Sequence, residues 1–83
     1  MASSLHDPRY ERLIKLLVQT RRDAKLTQRD VAAKLKQPPS YVAKIESCQR
    51  RIDLIELIDM LEAIGVKPIT FLNAFASDLR GRR

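Results

Sequence analysis

The side chains of this 83-residue chain that suit recognition chemistry are cations and amides, not paired acids, nucleophiles or metal ligands. Between Lys25 and Arg51 lie seven bases (Lys25, Arg29, Lys34, Lys36, Lys44, Arg50, Arg51) against two acids, Asp30 and Glu46. Residues 53–65 reverse the balance, with Asp53, Glu56, Asp59 and Glu62 and no base. The net charge is +6 and the pI is near 10. Segregated charge of this kind favours a directed contact with a polyanion over a generally cationic surface. Leu26–Asp53 also contains two short amphipathic segments around a polar turn marked by Pro38 and Pro39. Two short helices at a fixed angle, on a basic surface, let a small domain place side chains in a DNA groove.

Other chemistries fit the composition poorly. One cysteine excludes an intramolecular disulfide and a cysteine-based zinc site, and a single histidine adds no metal-ligand set. No nucleophile stands with an acid–base pair, and a chain this short leaves little room for a dry pocket. The expectation is therefore a binding protein, not an enzyme, with no cofactor and no metal. His6 and Cys48 are read as incidental. No apolar run approaches the length of a membrane span and the N-terminus lacks a signal-peptide core, so a cytoplasmic location is expected.

The elements that must position those side chains read as five helices in one compact all-α domain. Two glycines are too few for a turn-rich β fold. Residues 1–6 are expected to be disordered. Asp7-Pro8 is a helix-start signal, followed by an apolar stripe of Tyr10, Leu13, Ile14, Leu17 and Val18 on which Arg21 also falls. Thr27, with Asp30 three residues on, opens a second helix whose inner face is Val31, Ala32 and Leu35. Pro38 and Pro39 end it and open a third, running to about Ser47, with Val42 and Ile45 inward. Asp53 caps a fourth helix, Leu54 to Ile64, with Leu54, Leu57, Ile58, Leu61 and Ile64 as its core stripe and Gly65 as its stop. Pro68 starts a short fifth helix ending near Phe75, and residues 77–83 read as a frayed, solvated basic tail. The domain is thus expected over residues 7–76.

LTQRDVAAKL, then SYVAKIE, then RRIDLIELIDMLEAIGV, resemble in order and spacing the phage-repressor (Xre/Cro-type) helix-turn-helix family, over roughly Leu13 to Leu72. The resemblance implies a lambda-repressor-like five-helix DNA-binding domain. It also implies a homodimeric transcriptional regulator of prokaryotic or phage type, acting on a palindromic operator. By the same resemblance Pro39, Ser40 and Lys44 match base-reading positions of a recognition helix spanning about 39–47. Lys44 would donate to a guanine edge or reach a phosphate. Gln28, Tyr41, Ser47, Gln49 and Arg50 match DNA-backbone positions, and Arg51 beside them is read the same way. Arg21 and Glu46 match a buried salt bridge joining helices 1 and 3, which accounts for an arginine on an apolar stripe.

Two departures from the family pattern carry structural consequences. Lys25, Lys36 and Cys48 stand where the family commonly has glycine at helix ends. Either the left-handed backbone is kept, at roughly 1–2 kcal/mol per side chain, or these turns take another geometry. Pro38-Pro39 at the start of the recognition helix supplies no side-chain hydrogen bond, so direct base readout is expected to be sparse. The apolar surplus of Ile55, Met60, Phe71 and Phe75 reads as a dimer surface or as closure of the monomer core. Two other functional readings stand beside the regulator: an antitoxin-like or restriction-modification-controller-like protein of the same fold, with a toxin as partner in the first case, and a helical protein-interaction module that binds no DNA.

Overall fold

The computed structural model describes residues 7–81, which form five α-helices and no strand. The expected disorder of residues 1–6 and the last two residues of the basic tail lie outside that range. The helices are α1 (Pro8–Asp23), α2 (Gln28–Lys34), α3 (Pro39–Glu46), α4 (Leu54–Ile64) and α5 (Pro68–Gly81). Among the described residues no helix is long and apolar enough to cross a membrane.

Local chemistry explains where the helices begin. Asp7 accepts from Arg9 N at 2.8 Å, with Pro8 in the first turn. The Arg9 guanidinium, bonded to the same carboxylate, holds Asp7 down at about 2. Thr27 and Asp30 form a reciprocal capping box at 3.0 and 2.8 Å, and Asp53 and Glu56 form another at 2.7 and 3.1 Å. The α3 start differs: Pro38 is its cap residue, Pro39 is its first helical residue, and no side chain caps it.

The helix ends share one device. Leu26, Gln37 and Gln49 donate backbone N–H bonds to Arg21, Ala32 and Lys44 carbonyls at 3.3, 2.9 and 2.9 Å. Lys25, Lys36 and Cys48 donate to the carbonyls one residue further along, at 2.9, 3.1 and 3.1 Å. These paired bonds make Schellman stops, which need a left-handed residue at the turn. Lys25, Lys36 and Cys48 take φ of 64°, 58° and 62°, so the left-handed geometry is retained without glycine. Gly65 fills the equivalent place after α4, at φ 101°.

Thirteen buried apolar side chains form the core, drawn from all five helices and the α3–α4 loop. Leu17, Val31, Val42, Ile45, Met60 and Leu61 are the largest that are fully enclosed. Two of the residues proposed for a dimer surface, Met60 and Phe71, belong to this core and are unavailable to a second copy. Met60 lies three residues after Leu57 and four before Ile64, which puts it on the inward face of α4. Leu54, expected on the core stripe, is instead exposed, and Ile58 is only half-buried. Ile52, two residues before α4, fills the core at that end, its N–H donating to the Tyr10 hydroxyl at 3.1 Å.

The fifth helix runs to Gly81, about six residues beyond its expected end near Phe75. Arg12 on α1 donates Nε and Nη2 to one Asp78 carboxylate oxygen, Oδ2, at 3.1 and 2.7 Å, and Nη2 also to the Asp78 carbonyl at 2.7 Å. This contact spans 66 residues of sequence, so local periodicity could not reveal it. Residues 77–81 are accordingly helical, not a frayed tail.

Candidate nucleic-acid interface

The α2–turn–α3 unit is held from behind by one buried polar cluster. Arg21, at the end of α1, donates Nε to Glu46 Oε2 at 2.7 Å and Nη2 to Oε1 at 2.9 Å. Its remaining Nη1 donates to the Leu26 carbonyl at 2.8 Å. Both side chains are nearly enclosed, at 8% and 6% exposure. Gln28, opening α2, donates Nε2 to Glu46 Oε1 at 2.8 Å. The Glu46 carboxylate at the end of α3 thereby ties α1 to α2, while Arg21 itself holds the α1–α2 turn. Among the described residues no buried side-chain nitrogen or oxygen is left unpaired. A buried ion pair of this kind is strongly destabilising to break from one side, at about 3–5 kcal/mol.

In front of that cluster, α3 presents an exposed face. Pro39, Ser40 and Lys44, the three predicted base readers, are all exposed. Ser40 and Lys44 lie one helical turn apart, with no acid in the first turn of α3 to oppose an anion. Ser47 and Gln49 are exposed at the far end of the helix, the Ser47 hydroxyl donating to Lys44 O at 3.3 Å. Gln28 is half-buried, and its bond to Glu46 leaves the second amide N–H of the same nitrogen for an outside acceptor.

Tyr41, Arg50 and Arg51 are engaged differently. Arg50 is committed to its own chain at the surface: its two terminal nitrogens reach Glu56 at 3.1 and 2.9 Å, and its guanidinium lies 4.9 Å from the Tyr41 ring centre. Arg50 in turn holds the Glu56 carboxyl below its ordinary range. Burial raises the Tyr41 phenol, with Glu56 nearby adding to the effect. Tyr41 and Arg50 are thus brought together, whereas Arg51 turns to α1 and stacks 5.5 Å over Tyr10.

Several of the bases counted along the sequence also face acids of their own chain. Lys34 and Lys36 border a groove shared with Asp59 and Glu62 of α4. In compensation, Lys15 and Arg22 of α1 line a groove that ends at Ser47 and Cys48, beside the α3 C-terminus. They were missed in the sequence, although Lys15, Gln19 and Arg22 recur at helical spacing and so share one polar face. The Cys48 thiol in that groove is pushed up by burial, with Glu11 adding to it, the opposite of the shift that activates a thiolate.

Comparison with known proteins places this arrangement. A family profile described as "Helix-turn-helix" matches residues 17–71. No curated protein sequence matches the chain significantly. Among solved structures, an XRE-family like protein from Pseudomonas syringae pv. tomato str. DC3000 superposes with a TM-score of 0.83 at 38% identity, covering 89% of this chain and 90% of that one. The matched span runs from α1 into α5 and includes the whole α2–turn–α3 unit with Arg21, Gln28 and Glu46. The chain belongs to the Xre-like family of helix-turn-helix DNA-binding proteins.

Proposed function

We propose that the protein is a sequence-specific transcriptional regulator that binds a palindromic operator as a homodimer, with α3 of each copy in the major groove. The observation that carries this reading is the pairing of a fixed back with an open front. The Arg21–Glu46–Gln28 cluster locks the angle between α2 and α3, while Ser40 and Lys44 stand exposed on the face that remains. Lys44 supplies the charged donor, to a guanine edge or an adjacent phosphate. Ser40 contributes a small hydroxyl, and Pro39 apolar contact of the kind a thymine methyl accepts.

Gln28, Ser47 and Gln49 then serve as backbone contacts at the two ends of the reading face, with Lys15 and Arg22 flanking them on α1. Arg50 and Tyr41 act as support, since Glu56 already holds the guanidinium. The expected location is the cytoplasm, on the nucleoid.

Selection of bound duplexes from a random pool, followed by footprinting, tests this function. The expected result is one symmetric protected site whose half-sites lie about one helical turn (~34 Å) apart. Affinity should fall steeply with salt, because phosphate neutralisation releases counterions. Recovery of no common sequence, or binding that does not change with salt, overturns it.

A further inference from the structure

Between α1 and the C-terminal end of α3 lies a groove of about 640 Å³, bordered by Ile14, Lys15, Val18 and Arg22 on one side and by Glu46 and Cys48 on the other. That volume lies within the roughly 300–1,000 Å³ of small-molecule sites. Turning outward from the core at about 100° per residue, α1 presents Ile14, Val18, Arg22 and Lys15 in that order. Ile14 is enclosed and Val18 half-buried, whereas Lys15 and Arg22 are exposed. The groove therefore has an apolar floor and a cationic rim.

The charges of the rim are uncommitted. Arg9, Arg12, Arg21 and Arg50 each hold a carboxylate of their own chain. Lys15 and Arg22 join no ion pair and no side-chain hydrogen bond among the described residues. Asp23, next to Arg22 in sequence, accepts instead from Gln19 at 2.7 Å. Of the two acids that line the groove, Glu46 is already matched by Arg21 and Gln28. The other, Glu11, stands one turn before Lys15, at the opposite end of the groove from Arg22.

We propose that this groove binds a small organic anion with an apolar body, and that its occupation opposes DNA binding. Lys15 and Arg22 are seven residues apart, ~10.5 Å along the helix axis. A carboxylate midway is within reach of both long side chains and stands clear of Glu11. The apolar body then covers Val18, Ile14 and Cys48. A DNA phosphate would use the two cations and leave that floor uncovered, so the pairing of floor and rim favours an organic acid. The assignment deepens the DNA-binding reading and rests on it for its role. An anion that neutralises Lys15 and Arg22 takes both from the flanking phosphates, so anion and duplex each weaken the other by the same factor.

Octanoate is the probe, and the full chain carries its own reporter, because Cys48 in the groove is the single cysteine. Octanoate should saturably slow alkylation of Cys48 at mildly alkaline pH and shift the methyl resonances of Ile14 and Val18. Acetate has the charge without the body, and octylammonium the body with the opposite charge. Each should bind at least about tenfold more weakly than octanoate. The double variant Lys15→Gln, Arg22→Gln should weaken octanoate about tenfold. Glu11→Gln should instead strengthen it about twofold, a gain that loss of folding cannot produce. Equal protection by octylammonium, or shifts that do not saturate, overturns the proposal, as does protection of Cys48 by a selected duplex but not by octanoate. Saturating octanoate should also weaken binding of that duplex severalfold, and an unchanged duplex affinity overturns the antagonism. If octanoate protects Cys48 and no duplex is bound at all, the groove stands and the DNA reading fails.

Discussion

Gln28 Nε2 donates to Glu46 Oε1 across 2.8 Å, so the residue that opens α2 is held by the residue that closes α3. The same oxygen accepts from Arg21 Nη2 at 2.9 Å, and the one carboxylate therefore sets both the salt bridge to α1 and the orientation of the amide at the start of α2. Glu46→Ala should strand the Arg21 charge in the interior at a cost of about 3–5 kcal/mol. Urea denaturation should show this as a large drop in midpoint. The double variant Arg21→Met, Glu46→Leu should recover most of the loss, because an apolar pair leaves no buried charge unpaired. Stability near wild type in Glu46→Ala would sink the idea that this cluster holds the α2–α3 angle.

Lys44 and Arg50 should behave in opposite ways. Lys44→Ala should weaken operator binding by about 1–3 kcal/mol and, if the lysine reaches a phosphate, lower the salt slope by about one. Arg50→Gln should leave that slope unchanged, since Glu56 already neutralises the guanidinium. Its expected effect is on folding, at about 1 kcal/mol or less for a partly exposed ion pair stacked on Tyr41. Binding isotherms over a salt series, with a thermal melt for each variant, separate the two residues.

Three helix stops carry a side chain at positive φ. Lys25→Gly, Lys36→Gly and Cys48→Gly should each relieve roughly 1–2 kcal/mol of left-handed strain, less about 0.5–1 kcal/mol for the greater freedom of glycine in the unfolded chain. A net gain of up to about 1.5 kcal/mol corresponds to several degrees in Tm for a domain of this size. The triple variant should be nearly additive, because the three turns lie at separate helix ends. A fall in Tm for any of the three would show that its side chain contributes more than its backbone costs.

Acid should destabilise the fold through carboxylates held low in the native state. The Arg9 contact lowers Asp7 from 3.8 to about 2. Asp30 is lowered by its bonds to Thr27, and Glu56 by Arg50. Each folded pKa lies below its unfolded value, so the stability it contributes is present above the unfolded pKa and is lost as pH falls through the folded one. For Asp7 that window runs from about pH 4 to pH 2. Asp7→Asn keeps a cap residue but cannot titrate, and a plot of denaturation midpoint against pH should be shallower for it in that window.

The last turns of α5 should depend on one distant arginine. Arg12→Ala removes the grip on the Asp78 carboxylate and carbonyl. Amide exchange over residues 77–81 should then accelerate, while the rest of the core keeps its protection. Unchanged exchange there would mean that the Arg12–Asp78 contact does not hold the end of α5.

What local chemistry could encode was legible in the sequence. Asp7-Pro8, Thr27 with Asp30, Asp53 with Glu56 and Gly65 each act within a few residues, and each marks the helix end expected of it. The family resemblance also supplied the Arg21–Glu46 pair, 25 residues apart, which spacing alone does not reveal. Periodicity further reported that α4 has more apolar surface than one inner face requires, without saying which residues face inward. That depended on packing: Met60 turns into the core, Ile52 takes the place expected of Leu54, and Leu54 and Ile55 are left outside. Net charge likewise identified a basic region but not its commitments. Only the fold brings Arg50 to Glu56, Arg51 to Tyr10 and Lys34 and Lys36 beside Asp59 and Glu62. The length of α5 is the plainest case, because Arg12 and Asp78 meet only once α1 and α5 have packed. Caps, stops and stripes act over one or two helical turns and can be read in order along the chain. Burial and ion pairing depend on which helices meet, and that is decided only when the core closes.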